Sequence, residues 1–172
     1  EFSELFKVAA DFDVQMGRDE DNQRAYAQLM RSIVDRESLM HFDRSAVGRI
    51  IEASSRMVGD GEKLNARVRE VTDLMLEADY WAQQNGHNTA SAADVQKAID
   101  AKTYRSDRMR ERIQEEIQRD TLHIDTEGRK VGQVNGLSVM MLGDFAFGRP
   151  NRISARVHMG KGEVIDIERE AK

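Results

Sequence analysis

Between residues 20 and 120 apolar side chains recur three and four positions apart, and beyond Thr121 they do not. This change of period divides the chain into a helical part and a β part. Tyr26, Leu29, Met30, Ile33 and Val34 fall at i, i+3, i+4, i+7 and i+8, so a helix over about 20–37 buries one face. Asp43 is placed to cap a second helix in which Ala46, Val47, Ile50, Ile51 and Met57 face inward, and Gly59 supplies its left-handed end. A third helix is expected from about residue 62, with Leu64, Val68, Val71, Met75, Ala78 and Ala82 inward and Gly86 closing it. Ser91 and Asp94 form an S-x-x-D capping box that opens a fourth, through Val95, Ala98 and Ile99. Its far half, 105–120, is nearly all charged, with Met109, Ile113 and Ile117 as a narrow stripe. A solvated helix is expected to continue there, aided by Arg108 with Glu111 and Arg112 with Glu115 and Glu116.

Past Thr121, short valine-, isoleucine- and leucine-rich segments alternate with Gly, Asn and Asp. Strands are expected near 130–134, 137–142, 152–158 and 163–167, with Asn135-Gly136 and Gly160-Lys161-Gly162 as turns. Ile153, Ala155 and Val157 alternate with polar neighbours, which predicts one buried face. The fold class is therefore α+β: a helical bundle, a long charged helix and a small, mainly antiparallel β module. The opening residues Phe2, Leu5, Phe6 and Val8 read as a strand or buried segment, and a start at Glu1 suggests a piece of something longer.

The charge distribution narrows the partners. Residues 1–120 carry 18 Lys and Arg against 24 Asp and Glu, and the whole chain has a net charge of −5, which disfavours phosphate-neutralising nucleic-acid binding. The arginines from Arg105 to Arg112 are interleaved with acids, as on a salt-bridged helix surface. No apolar run approaches a membrane span, and no signal peptide is present in these residues. The chain has no cysteine, which excludes disulfides and thiol nucleophiles and fits the expected cytoplasmic location.

Motifs that carry chemistry are scarce in the chain. No G-x-x-x-x-G-K-[ST] loop occurs; Gly61-Glu62-Lys63 and Gly160-Lys161-Gly162 lack the spacing and the following hydroxyl. Neither G-x-S-x-G nor H-E-x-x-H is present. The acidic pairs Asp11 with Asp13 and Glu115 with Glu116 read as solvated carboxylates, since no histidine or apolar pocket sequence brackets them. His41, His87, His123 and His158 lie in four separate elements, so no metal site is expected. Tyr80 and Trp81, near a helix end, read as core packing rather than a base-stacking platform.

The string Asp125-Thr126-Glu127-Gly128, then Val131-Gly132-Gln133-Val134-Asn135-Gly136-Leu137-Ser138-Val139, resembles the start of the protease domain in Lon-family proteases of the archaeal, LonB-like type. The runs Gly143-Asp144-Phe145-Ala146-Phe147-Gly148-Arg149-Pro150, Ile153-Ser154-Ala155-Arg156-Val157 and Gly160-Lys161-Gly162-Glu163-Val164-Ile165-Asp166-Ile167-Glu168-Arg169-Glu170 resemble a bacterial branch of that family. Upstream, Leu5-Phe6-Lys7-Val8 and Asp11-Phe12-Asp13 resemble the exit from the large ATPase subdomain, and 18–100 the helical lid that follows.

The resemblance implies a division into an exit linker (1–17), a helical AAA+ lid (18–102), a connecting helix (103–122) and the first β segment of a protease domain (123–172). It implies a parent that binds ATP and magnesium, forms a homo-oligomeric ring, and cleaves unfolded proteins with a Ser-Lys dyad. The phosphate loop would precede Glu1 and the dyad follow Lys172, so Ser138, Ser154 and Lys161 are not catalytic and this chain is expected to be inactive, with no ATP or magnesium bound. In Lys63-Leu64-Asn65-Ala66-Arg67-Val68-Arg69 the family's second-sensor arginine, three residues after the leucine, corresponds to Arg67. Taken without the resemblance, Arg67 reads as an exposed helix arginine. Two alternatives differ in class: a non-catalytic adaptor or oligomerisation domain docking through Met109, Ile113 and Ile117, and a nucleic-acid-binding helical module.

Overall fold

The computed structural model describes residues 5–8, 10–143, 145–160 and 162–165. Within them the elements are β1 (Gln15–Gly17), α1 (Glu20–Glu37), α2 (Arg44–Val58), β2 (Lys63–Asn65), α3 (Val68–Gln84), α4 (Ala92–Ser106), α5 (Arg108–Gln118), β3 (Gln133–Leu142) and β4 (Phe145–Ser154). The chain is α+β, helices first and a small antiparallel β module after, and it forms two compact units, 1–104 and 105–172. Among the described residues no helix is long and apolar enough to cross a membrane.

In the first unit the helix ends follow their caps. Asp19 accepts from Asn22 N at 2.7 Å to open α1, and Asp43 accepts from Ala46 N at 2.8 Å and Ser45 Oγ at 2.6 Å to open α2. Those bonds, the Ser45 hydroxyl foremost, hold the Asp43 carboxyl below its ordinary range. Gly59, with φ 70°, ends α2 as its position suggests. The core gathers Met30 and Ile33 of α1, Ile50 of α2, Leu64 of β2, Val71 and Met75 of α3, and Val95 of α4. Truncating one of the larger of these to Ala costs about 2–5 kcal/mol.

The third helix begins later than its apolar spacing suggests. Residues 63–65 form β2, antiparallel to β1, with Gln15 opposite Asn65 and Met16 opposite Leu64. Leu64 is fully buried, so its apolar character did not distinguish strand from helix; the ladder partner at 15–17 decides the matter. The ladder is extended by Arg18 N donating to Glu62 O at 2.8 Å and Ala66 N to Val14 O at 2.9 Å. Two loops are tied nearby: Ala90 N donates to His41 O at 2.8 Å, and Met40 N to Asp79 Oδ1 at 2.8 Å.

The long fourth helix is also corrected, because it breaks at buried Asp107 and α5 starts at Arg108. Aspartate is a poor helix-interior residue, and here its carboxylate pairs with Arg110 in the next turn. The ion pairs on α5 join Arg110 to Asp107 and Arg119 to Glu115, not the partners expected from spacing.

In the second unit β3 and β4 form one hairpin in register from Gln133 opposite Ser154 to Leu142 opposite Phe145. Asn135-Gly136 is not a turn: both residues sit inside the ladder, opposite Arg152 and Asn151. The chain reverses between Leu142 and Phe145, where Gly143 has φ 59°. Gly132 is required where it stands, with φ 74° and an added Cβ only 2.5 Å from Ala155 O. Ile113 of α5 and Phe147 of β4 are buried, and the Arg110 guanidinium lies 5.9 Å from the Phe145 ring centroid. The face expected to be covered through Ile153, Ala155 and Val157 is exposed. So are Leu137, Val139 and Met141, each more than 70% exposed at 77%, 71% and 74%. Residues 163–165 are not in a strand, and 166–167 lie outside the described residues. At the other end Leu5, Phe6 and Val8 are exposed rather than buried, and Phe2 lies outside the described residues.

Candidate functional site

Asn65, the last residue of β2, is 2% exposed and every polar group it carries is engaged. Its N donates to Ser54 Oγ at 2.8 Å, and its carbonyl accepts from Tyr26 OH at 2.9 Å. Tyr26 OH and Ser54 Oγ are 2.8 Å apart, which closes a buried ring across α1, α2 and β2. Burial foremost pushes the Tyr26 phenol up; the Ser54 bond opposes this and the Glu70 charge adds to it. A phenol held protonated is the donor that the Asn65 carbonyl needs.

The Asn65 side chain turns the strand into a helix. Its Oδ1 accepts from Arg67 N at 2.9 Å, a turn that asparagine favours, and its Nδ2 donates to Glu70 Oε2 at 2.6 Å. Arg67 is thereby the N-cap residue of α3, with φ −78° and ψ 89° and no side chain capping the first turn. Its side chain is 60% exposed, and Nη1 lies 3.1 Å from Glu70 Oε1. The arrangement presents an exposed, permanently charged guanidinium from a backbone fixed in the core, suited to an anionic group. The segment entering from the N-terminal side runs beside it, since Val14 O holds Ala66 N.

The other candidates resolve blandly. Asp11 and Asp13 are exposed, as are Glu115 and Glu116. The shallow concavity along α5 is lined by Arg112, Glu115, Glu116, Arg119 and Thr121, all at the surface. Among the described residues no group of three or more His, Asp or Glu side chains stands together to hold a metal. Trp81 packs against the core beneath Lys97, whose Nζ is 5.1 Å from its ring, whereas Tyr80, expected in the core, is 54% exposed and meets Trp81 edge-on at 5.3 Å. Of the docking stripe on α5, Ile113 is buried. The only sequence signal for the two partners of Arg67 is the spacing Asn65-x-Arg67-x-x-Glu70, which forms no recognisable motif. Tyr26 and Ser54, 39 and 11 residues from Asn65, left none.

Comparison with known proteins bears on this region directly. Residues 41–105 match the family model described as Archaeal LonB, AAA+ ATPase LID domain. The chain is 40% identical over 125 residues to a Lon protease homolog of Escherichia coli, covering 72% of this chain and 21% of the relative. It is 26% identical over 152 residues to a Lon protease homolog of Haemophilus influenzae, covering 87% and 25%. It is 32% identical over 129 residues to an archaeal Lon protease of Thermoplasma volcanium, covering 73% and 19%. The chain thus spans between 19% and 25% of the length of these curated relatives.

Proposed function

The chain belongs to the Lon protease family and carries that family's ATPase lid, and on this basis we propose that it links nucleotide state to peptide cleavage within an ATP-dependent protease. In the intact protein ATP and magnesium sit between the large ATPase subdomain and this lid, and Arg67 is the second sensor that meets the γ-phosphate. Motion of the lid (18–102) passes through 103–122 into the β segment 123–172 of a serine protease domain, whose Ser-Lys dyad cuts unfolded proteins. The intact protein works as a homo-oligomeric ring, hexameric by family resemblance, in the cytoplasm. The chain alone hydrolyses nothing and binds neither ATP nor magnesium.

The observation that supports this reading is the posture of Arg67: an exposed guanidinium launched from a buried asparagine, beside the segment that enters from the N-terminal side. The adaptor alternative draws less support, because Ile113, the centre of its docking stripe, is already buried. The test compares ATP hydrolysis and casein degradation by this chain with those of the protein extended along its gene in both directions, with Arg67→Ala made in the longer form. The reading predicts activity only in the extended protein, and uncoupling of cleavage from ATP in Arg67→Ala. An extended gene encoding neither a phosphate loop nor a Ser-Lys protease would return the adaptor reading.

A further inference from the structure

We infer that Glu70 is a positioning residue for the nucleotide sensor, holding the Arg67 guanidinium in place while leaving its phosphate-binding edge open; the inference rests on the sensor reading of Arg67 given above. An exposed arginine samples many rotamers, and a ligand that immobilises it must overcome that entropy. Glu70, one turn along α3, accepts from Nη1 of Arg67 at 3.1 Å. The carboxylate is itself fixed, because its other oxygen accepts from Nδ2 of Asn65 at 2.6 Å. Asn65 in turn is locked by Tyr26, Ser54 and the backbone N of Arg67. The order imposed by the core therefore reaches the guanidinium through one chain of hydrogen bonds, Asn65 to Glu70 to Arg67.

The geometry also leaves the arginine usable. Glu70 takes Nη1, and no described residue takes Nε or Nη2. Those two donors make the side-on fork that matches two oxygens of a phosphate. A carboxylate sharing that fork would compete with the phosphate, whereas one bound at Nη1 orients the group and stays clear of it. Glu70 is thus not a contact for nucleotide; it acts through Arg67.

The experiment uses the full-length protein that contains this chain and measures ATP hydrolysis against ATP concentration for the wild type, Glu70→Gln, Arg67→Ala and the double variant. Glutamine with its oxygen kept on Asn65 Nδ2 turns its NH2 group, a donor only, toward the guanidinium, so the bond to Arg67 is lost while the fold persists, which a thermal melt checks. Glu70→Gln is expected to raise KM for ATP about two- to fivefold, the range open to a partly exposed ion pair, with the effect on KM rather than kcat. In the Arg67→Ala background it should add nothing, because residues acting through one another are not additive. A KM unchanged or lowered in Glu70→Gln, while Arg67→Ala raises it, overturns the positioning role and leaves the sensor reading standing. An additive effect in the double variant assigns Glu70 to the fold alone and also overturns the inference. An unaltered ATP dependence in Arg67→Ala sinks the sensor reading and this inference with it.

Discussion

His87 Nδ1 stands 3.0 Å from Asp94 Oδ2, an oxygen that also accepts from Ser91 N at 3.0 Å and Ser91 Oγ at 2.8 Å, while Asn85 reaches the second oxygen at 3.1 Å. Asp94 is 1% exposed. Burial alone would push its carboxyl up, but the bonds from Ser91, His87 and Asn85 outweigh burial and hold it at about 2, against an ordinary 3.8. A carboxyl lowered by folding stabilises fully above its unfolded value, and that stability is lost as pH falls through the folded one. The window here runs from about 3.8 down to about 2. The contribution is on the order of 2 kcal/mol. Asp94→Asn should lower the melting temperature near neutral pH by roughly 10 °C and flatten the acid limb of stability. An acid limb as steep as that of the unaltered chain would count against this assignment.

Tyr26→Phe removes the hydroxyl shared by Ser54 and the Asn65 carbonyl and leaves both buried groups short of a partner. The expected loss is about 1–3 kcal/mol, read by thermal or denaturant unfolding. A neutral result would mean that water enters to replace the hydroxyl.

Arg67→Ala, by contrast, should leave the stability of this chain within about 0.5 kcal/mol, because the side chain is 60% exposed and its ion pair with Glu70 is a surface one. Melting curves that superimpose would show that any functional loss in the longer protein comes from the guanidinium itself. A large drop would make Arg67 a structural residue.

The β3–β4 hairpin has only two strands, and such hairpins are marginal without further cover. Its amides should exchange with deuterium on the order of 100-fold faster than those of α1 and α3. Gly132→Ala should accelerate exchange further, since its Cβ would lie 2.5 Å from Ala155 O at positive φ. Equal protection of hairpin and helices would contradict this ranking.

The helical part was legible where a local signal carried it. The spacing of Tyr26, Met30 and Ile33 and the caps Asp43, Gly59 and Ser91 marked α1, α2 and the start of α4 correctly, because caps and amphipathic faces are encoded within a few residues. The strand at 63–65 was missed because its partner lies about fifty residues away, and no pattern in Lys63-Leu64-Asn65 announces it. Asn135-Gly136 misled because a dipeptide that favours a turn was overridden by ten consecutive cross-strand pairs. At the candidate site Arg67 was reached through family resemblance, since an arginine opening a helix has no distinguishing local physics. Its supports Tyr26 and Ser54 became visible only when the fold brought them together.

Strands β1 and β2 also set an order of events. Gln15 and Asn65 pair across the whole α1–α2 segment, and closing a loop of that length from free coil carries an entropy cost that grows with its logarithm. Docking of α1 on α2 would bring the loop ends together, so the strand pair is expected to form upon that helical hairpin. Asn65, and with it the posture of Arg67, is therefore expected to order after α1 and α2, and pulse-labelled exchange in which 63–65 gains protection no later than those helices would refute it. On that order, a nascent lid would have no ordered arginine to offer until its bundle is complete.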